Sequence, residues 1–189
     1  MPRKLKIETA DPGLLLLEQA TQMVTKNGAK ALTARTLAAA CKVAPGTIYN
    51  YYRDRDTLLL AVNSRTLDEL TLKLKEIAKT PQVDGDRALL MATGFYEFML
   101  SHDNLWESVI NYRFMGEVPS SYQDKVLGLV ALVTAQLRPD DPAKIDKALL
   151  LWASIQGLWL LSSRNKLSLL KDASPKRLLK LLWDLFAKS

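Results

Sequence analysis

Three side chains that can form hydrogen bonds to another molecule lie close together in the sequence: Thr47, Asn50 and Tyr51. Ile48 and Tyr52 stand four residues apart among them, and in a helix this spacing places both on one inner face. The three polar side chains therefore point outward, next to a helix start at Pro45–Gly46. Small donors and acceptors on the exposed face of a short helix fit the major groove of DNA, where base edges carry a readable pattern.

A preceding helix must support this one. Thr33 is a good N-cap, and the helix that it opens places Leu37, Ala38 and Cys41 on its inner face. A turn over residues 42–44 joins the two helices. Two short helices joined by a tight turn form a helix-turn-helix, the second helix of which enters the groove.

Two further helices flank this pair. Asp11–Pro12 is an N-cap followed by a first-position proline, and Asn27–Gly28 is a matching stop. After the pair, a long helix is predicted from Arg55 to about Lys79, because no Gly or Pro interrupts it. Either Asp54 or Asp56 can cap its start.

The run from Leu32 to Leu59 resembles the helix-turn-helix of the tetracycline-repressor (TetR) family of transcriptional regulators. The matching positions are Leu32, Thr33, Leu37, Ala38, Val43, Pro45, Gly46, Thr47, Ile48, Tyr49, Tyr51, Tyr52, Arg55, Leu58 and Leu59. Lys42 stands where the family usually has Gly, so it is expected to take a left-handed or bridge conformation. Ala44 replaces a capping Ser, and Arg55 replaces a more usual Lys.

The resemblance implies a set of DNA contacts. It assigns base edges to one group (Arg35, Pro45, Gly46, Thr47, Asn50) and phosphates to another (Thr33, Tyr49, Tyr51, Arg55). The charge of this region agrees with the assignment. From Gln19 to Arg53 the sequence has no acidic residue and five basic ones, as phosphate binding requires. A merely solvated face is the alternative interpretation of such a charge run.

The remaining sequence predicts only helices, so the fold class is all-α. The predicted helices cover 86–102, 105–115, 120–137, from Asp141–Pro142 to Ser163, and from Ser174–Pro175 onward. A loop is expected over Gln82–Asp86. Residues 10–56 are predicted to form the helix-turn-helix DNA-binding domain, and residues 57–189 a helical domain for ligand binding and dimerisation.

The aromatic residues of the second domain admit two interpretations, an ordinary core or the lining of a ligand cavity between helices. The second follows from the family resemblance. The candidate ligand-binding residues are Phe95, Trp106, Tyr112, Tyr122, Trp152 and Gln156. The helix ending at Ser163 is apolar all around, so it should be buried on every side. The last two helices carry more apolar surface than one small domain can cover, which predicts a homodimer.

The predicted function is that of a DNA-binding transcriptional regulator, a homodimeric repressor released from a palindromic operator by a small apolar effector. A ligand-independent helix-turn-helix protein or an activator is the alternative. An enzyme is disfavoured, because one His, one Cys and no phosphate loop leave little from which to build a catalytic site. No cofactor or metal is expected. A scaffold protein would explain the helices but not the basic motif.

Composition predicts a soluble, cytoplasmic protein with no membrane partner. The single cysteine, Cys41, excludes an intrachain disulfide. The N-terminal residues lack an apolar segment of signal-peptide length. The longest apolar-rich run, residues 148–161, is too short and too polar to span a bilayer.

Overall fold

The computed structural model describes residues 11–80, 87–135, 137, 140–169 and 174–187. Within these ranges all regular structure is helical, which confirms the predicted fold class. The α-helices are α1 (Pro12–Asn27), α2 (Ala34–Cys41), α3 (Pro45–Tyr49), α4 (Arg55–Lys79), α5 (Arg87–Ser101), α6 (Asp103–Asn111), α7 (Ser120–Thr134), α8 (Lys144–Ser163) and α9 (Pro175–Ala187). Two 3-10 helices lie at Ala29–Ala31 and Leu167–Leu169. The predicted loop at Gln82–Asp86 falls outside the described residues.

The chain divides into two compact units. The first contains the described residues up to Thr66 together with His102–Glu117. The second contains Leu67–Ser101 and the described residues from Val118 onward. The domain boundary predicted between residues 56 and 57 stays a prediction about which segments fold independently.

Helix α1 begins and ends at the residues that the sequence indicated. The Asp11 carboxylate accepts a 2.8 Å hydrogen bond from the backbone N–H of Gly13, and Pro12 takes the first helical position. At the other end Gly28 has φ +74°, and its N–H donates to the carbonyl of Val24. A residue without Cβ adopts this φ at little cost, so the helix ends here.

The first unit has one hydrophobic core, to which α1, α2, α3, the start of α4 and α6 contribute. Its buried members are Leu16, Ala20, Val24, Leu32, Leu37, Ala38, Ile48, Leu58, Leu59, Val62 and Leu105. Leu105 comes from α6, which packs against α1. Burial of each Leu, Ile or Val side chain contributes about 1.5–3 kcal/mol to the stability of the fold. The core therefore holds α2 and α3 against the other helices.

In the second unit α8 packs against α5, α7 and α9, and α5 also packs against α9. The hydroxyl of Tyr96 donates to Ser162 Oγ at 2.7 Å, which joins α5 to the end of α8. Helix α5 also approaches the end of α4 closely, since a Cβ added at Gly94 would collide with Ile77 Cδ1. No larger residue fits at Gly94 unless Ile77 moves.

One side of α8 remains exposed in the single chain. Leu151, Ile155, Leu158 and Trp159 are buried, whereas Leu149, Leu150, Leu160 and Leu161 are exposed. The predicted burial on every side is therefore not reached within one chain. The physical reason is geometric, because α5, α7 and α9 cover only part of the helix circumference.

Several predicted helix boundaries need correction, among them the start of α6, which lies at Asp103 and not at residue 105, and the end of α7, which lies at Thr134 and not at residue 137. Helix α8 begins at Lys144 and not at Pro142, because Asp141 Oδ1 accepts from the N–H of Ala143 and forms a turn before the helix. Helix α6 ends at Asn111, short of the predicted residue 115. The chain leaves the helix at Tyr112, whose hydroxyl donates to the carbonyl of Asp56 at 3.3 Å.

Candidate nucleic-acid interface

The start of α2 is held by a reciprocal cap. Thr33 Oγ1 accepts from the N–H of Thr36 at 3.1 Å, and Thr36 Oγ1 accepts from the N–H of Thr33 at 2.9 Å. On the inner face of α2, Leu37 and Ala38 are buried and Cys41 is half-buried. Burial raises the pKa of the Cys41 thiol, which favours the neutral form of a small core residue. Thr33 and Arg35 are exposed at the N-terminal end of α2.

The turn between α2 and α3 depends on Lys42. This residue has φ +56° and ψ +40°, which is the left-handed conformation. The sequence allowed this conformation or the bridge region, because Lys42 stands where the family usually has Gly. The N–H of Lys42 donates to the carbonyl of Ala39, and the N–H of Val43 donates to the carbonyl of Ala38, so two of the terminal carbonyls of α2 are satisfied. An L-residue with a Cβ pays about 1–2 kcal/mol for this conformation. The turn keeps its geometry at that cost.

Helix α3 is short and begins without a side-chain cap. Ala44 precedes it in an extended conformation and Pro45 takes its first position, as the sequence indicated. Ile48 anchors the helix in the core. The hydroxyl of Tyr52 donates to the carbonyl of Gly13 at 3.0 Å. Since burial, followed by the charge of Asp11, raises the pKa of Tyr52, its phenol keeps this proton at neutral pH. The end of α3 is thereby tied to the start of α1.

The residues predicted to meet DNA lie around the surface of α2 and α3. Six of them are exposed and lie within or directly after these helices: Arg35, Pro45, Gly46, Tyr49, Asn50 and Tyr51. Thr47 is half-buried. Around Gly46 there is open space where a Cβ would stand, so an approaching molecule meets backbone there. The structure thus brings backbone, small polar groups and two tyrosines to one short stretch of surface.

The start of α4 resolves the open choice of cap in favour of Asp54. Its Oδ1 accepts from the N–H and the hydroxyl of Thr57, both at 2.7 Å. Its Oδ2 accepts from Nε of Arg53 at 3.0 Å. The bonds from Thr57, and then that from Arg53, lower the pKa of Asp54 to about 2. The carboxylate is therefore charged at the N-terminus of α4, where a negative charge is favourable.

Arg55 is placed differently from a side chain that awaits a phosphate. Its Nε donates to the carbonyl of Leu32 and its Nη2 to the carbonyl of Ala29, both at 2.8 Å. Its Nη1 lies 3.6 Å from Oδ1 of Asp56. Most of the donor fork is thus engaged within the chain.

Helix α6 contributes contacts to the first unit that the sequence did not reveal. Asn104 Nδ2 donates to the carbonyl of Thr25 at 2.9 Å, close to the end of α1. Ser108 and Asn63, both buried, are joined by two hydrogen bonds. A polar residue at an inner position of a helix is the one sequence signal for such a pair, and it does not name the partner.

The candidate ligand-binding residues fall into both units. Phe95 and Tyr122 are buried in the second unit, where Trp152 and Gln156 are half-buried. Trp106 and Tyr112 belong to the first unit. Burial, followed by the charges of Asp56 and Asp54, raises the pKa of Tyr112. The ligand-binding assignment stays a prediction for all six.

Two further properties concern the described part of the chain. Across residues 11–80 and the later described ranges, no three His, Cys, Asp or Glu side chains gather as a metal site would require. Within the same ranges no helix has both the length and the apolar character to cross a membrane.

One segment of the chain matches a known protein-family model. Residues 16–62 match the model of "Bacterial regulatory proteins, tetR family", and this range covers most of α1, all of α2 and α3, and the start of α4. No curated protein sequence matches the chain.

Solved structures resemble the chain over nearly its whole length. A Rhodococcus protein of unknown function superposes with a TM-score of 0.80 at 19% identity, covering 98% of each chain. The Bacillus subtilis regulator FadR, in complex with stearoyl-CoA, superposes at 0.68 and 13% identity, covering 92% of this chain and 97% of its own. A TetR family regulator from Marinobacter aquaeolei superposes at 0.65 and 16% identity, covering 91% and 93%.

At these identities the structural likeness establishes the fold. The match over residues 16–62 independently identifies the helix-turn-helix, whose caps, left-handed turn and outward polar face are described above. Both findings agree with the resemblance noted in the sequence. Residues 16–62 thus match the tetR family model, and the chain has the fold of solved structures that include a TetR family transcription regulator.

Proposed function

We propose that the protein is a homodimeric repressor that binds a palindromic operator and is released from it by a small apolar effector. The observation that carries the DNA part is the exposed surface of α2 and α3. There Thr47 and Asn50 stand beside open backbone at Pro45–Gly46. This surface belongs to a segment with five basic residues and no acidic residue. Such a surface offers base-reading groups and phosphate attraction together.

The proposed contacts follow from position and exposure. Arg35, exposed in the first turn of α2, reaches a guanine, while Thr33 at the cap contacts a phosphate. Pro45, Gly46 and the two polar side chains of α3 approach base edges. Tyr49 and Tyr51, which are 55% and 45% exposed, hold phosphates on either side.

The proposed dimer uses the exposed sides of α8 and α9, which pack against each other in one chain. Leu150 and Leu161 on α8 are 57% and 42% exposed, and Leu181 and Leu185 on α9 are 52% and 71% exposed. Between the two α8 leucines, Gly157 has open space around it, so a helix of a second chain can approach closely. Two copies would present recognition helices to half-sites about 34–36 Å apart.

The proposed effector site lies among the helices of the second unit. Phe95, Tyr122, Trp152 and Gln156 lie on α5, α7 and α8, and α8 packs against both of the others. The stearoyl-CoA complex of FadR, a protein of the same fold, supports a long apolar effector as the first class to test. Trp106 and Tyr112 are less favoured, because α6 and the residues after it belong to the first unit.

Release requires that the effector favour a DNA-incompetent arrangement, since a ligand shifts an equilibrium only by its differential affinity. Helix α4 is a continuous element of 25 residues without Gly or Pro, which begins beside the helix-turn-helix and ends at Lys79. We infer that it transmits the change. A coupling of about 1–3 kcal/mol gives a change in operator affinity of roughly 5- to 150-fold.

Selection of bound duplexes from a random library tests the DNA part. A palindromic consensus is expected, and recovery of no preferred sequence would contradict the operator. A thermal-shift screen with stearoyl-CoA, stearate and a panel of apolar compounds, followed by operator titration with each hit, tests the effector part. Hits that stabilise the protein but leave operator affinity unchanged would contradict release by an effector.

A further inference from the structure

The guanidinium of Arg55 joins two parts of the first unit that lie far apart in sequence. Arg55 is the first residue of α4, and its two carbonyl partners, Ala29 and Leu32, lie 26 and 23 residues earlier. Ala29 begins the 3-10 helix, and Leu32 directly follows it. The Ala29 carbonyl already accepts from the N–H of Leu32 at 3.2 Å, and its second lone pair accepts from the guanidinium. The Arg fork, with donors spaced along one plane, fits two neighbouring carbonyls.

These two hydrogen bonds, the Arg55 clasp, join the two ends of the chain segment that forms the helix-turn-helix. Leu32 is followed directly by Thr33, the cap of α2, and Arg55 follows directly on Asp54, the cap of α4. The segment between them, residues 33–54, contains both α2 and α3. One side chain therefore clasps the two ends of the segment that carries every other proposed DNA contact. The side chain of Leu32 is itself fully buried, which anchors the clasped end.

The surroundings of Arg55 also reduce its suitability for a phosphate. Its free Nη1 is beside the Asp56 carboxylate, and the charged Asp54 precedes it in the chain. Arg53, by contrast, has a side chain that is 88% exposed and is bonded to Asp54 only through Nε. Of these two arginines Arg53 is the more exposed, since the side chain of Arg55 is 41% exposed.

We propose that Arg55 is a positioning residue that sets the placement of α2 and α3 through the carbonyls of Ala29 and Leu32, and that it is not a phosphate contact. The proposal rests on the proposed function, because it concerns how operator recognition is maintained. A phosphate contact strengthens binding to all sequences and adds to the salt dependence. A positioning residue instead affects the preference for operator over unrelated DNA, since base reading requires side chains in register.

Lysine at position 55 distinguishes the two roles. It retains the positive charge, which suffices for a phosphate, but a single ammonium nitrogen replaces the planar fork that serves two carbonyls. Arg55→Lys and Arg55→Ala are therefore compared with Arg53→Ala, which removes a nearby exposed charge without touching the clasp. Each variant is titrated with the selected operator and with an unrelated duplex of the same length, across a range of salt concentrations. Circular dichroism confirms that each is folded at the temperature used.

Both Arg55 variants are expected to lose about tenfold or more in the ratio of operator to unrelated affinity, the scale of lost charge-assisted hydrogen bonds. Their salt slopes on unrelated DNA should equal that of the wild type. Arg53→Ala should lower both affinities in parallel. A lysine variant with wild-type behaviour, together with an alanine variant whose salt slope falls by about one, would overturn the proposal. The proposal would also be overturned if both folded Arg55 variants kept the wild-type ratio of operator to unrelated affinity and only their melting temperatures fell.

A measurement on the wild-type protein covers the case in which the Arg55 variants do not fold. In ¹⁵N-labelled protein the Nε–H of Arg55 should exchange slowly with water and keep its chemical shift when operator is added. A fast-exchanging signal, or one that shifts strongly on addition of operator, would contradict the clasp. If the wild type itself selects no duplex, the proposed function fails, which is distinct from failure of this inference.

Discussion

Asn63 and Ser108 are joined by two hydrogen bonds in the buried interior of the first unit. Ser108 Oγ donates to Asn63 Oδ1 at 2.7 Å, and Asn63 Nδ2 donates to the Ser108 carbonyl at 3.3 Å. The side chain of Asn63 has no solvent exposure, and Ser108 is 4% exposed. An amide in such a place requires partners within the protein. The pair therefore fixes the position of α6 along α4.

Ser108→Ala should lower the free energy of unfolding by about 1–3 kcal/mol, because it leaves the buried Asn63 Oδ1 without its donor. Urea denaturation measures the change. Thr25→Ala serves as a control, since Thr25 is exposed and its hydroxyl donates only to the carbonyl one turn earlier. That control should stay within about 0.5 kcal/mol of the wild type. A Ser108→Ala variant of wild-type stability would contradict the role assigned to the pair.

Lys42→Gly should stabilise the protein by roughly 0.5–1 kcal/mol. Glycine relieves the strain of the left-handed conformation at φ +56°, and its greater freedom in the unfolded chain offsets part of that gain. The measurement is chemical denaturation beside Lys42→Ala, which removes the same charge but keeps the Cβ. Equal stabilisation by both substitutions would assign the effect to charge and not to strain.

The cap at Asp54 predicts a specific loss of stability in acid. Its folded-state pKa, about 2, lies below the ordinary value of 3.8. The carboxylate therefore contributes stability that is fully present above the ordinary pKa and is lost as the pH falls towards 2. Asp54→Asn keeps a capping side chain but does not titrate. Unfolding curves at several pH values should show a steeper acid loss for the wild type, and parallel curves would contradict the prediction.

Arg35→Ala and Thr47→Ala should each weaken operator binding by about 1–3 kcal/mol, the scale of one lost base contact. Affinity of Thr47→Ala for unrelated DNA should change little, because Thr47 carries no charge. Lys166→Ala is a matched control for the lost cation of Arg35, since Lys166 is exposed in the second unit. The dissociation constants for operator and for unrelated DNA are measured by titration of the selected operator and an unrelated duplex. If Thr47→Ala weakens both equally, Thr47 does not read bases.

Leu161→Glu and Leu185→Glu should convert a dimer into folded monomers, because both side chains are exposed in the single chain. Leu158→Glu is the contrasting substitution. Leu158 is only 8% exposed, so a charge there should disrupt the fold itself. Sedimentation at micromolar concentration gives the mass, and circular dichroism the helicity. A wild-type protein that sediments as a monomer would refute the proposed dimer.

Much of the helix-turn-helix could be predicted from the sequence because its signals act over short distances. The caps at Asp11 and Thr33 bond to groups two or three residues away. The left-handed Lys42 follows from the need to end α2 at that residue. Within a helix, Pro45 fits the first turn and not the interior. Such interactions are complete within one turn of chain, so they require no knowledge of the rest of the molecule.

The sequence by itself thus determined the helices of the candidate DNA-binding surface, their order and the acid-free charge around them. Only the tertiary structure decided what joins distant segments. Asn63 meets Ser108 across 45 residues, and Arg55 donates to the carbonyl of Leu32 although the family resemblance implied a phosphate contact. Periodicity shows which side of a helix is inner, but it does not show which partner is there. That choice depends on how whole helices pack, because a buried polar group must be satisfied wherever the fold places it.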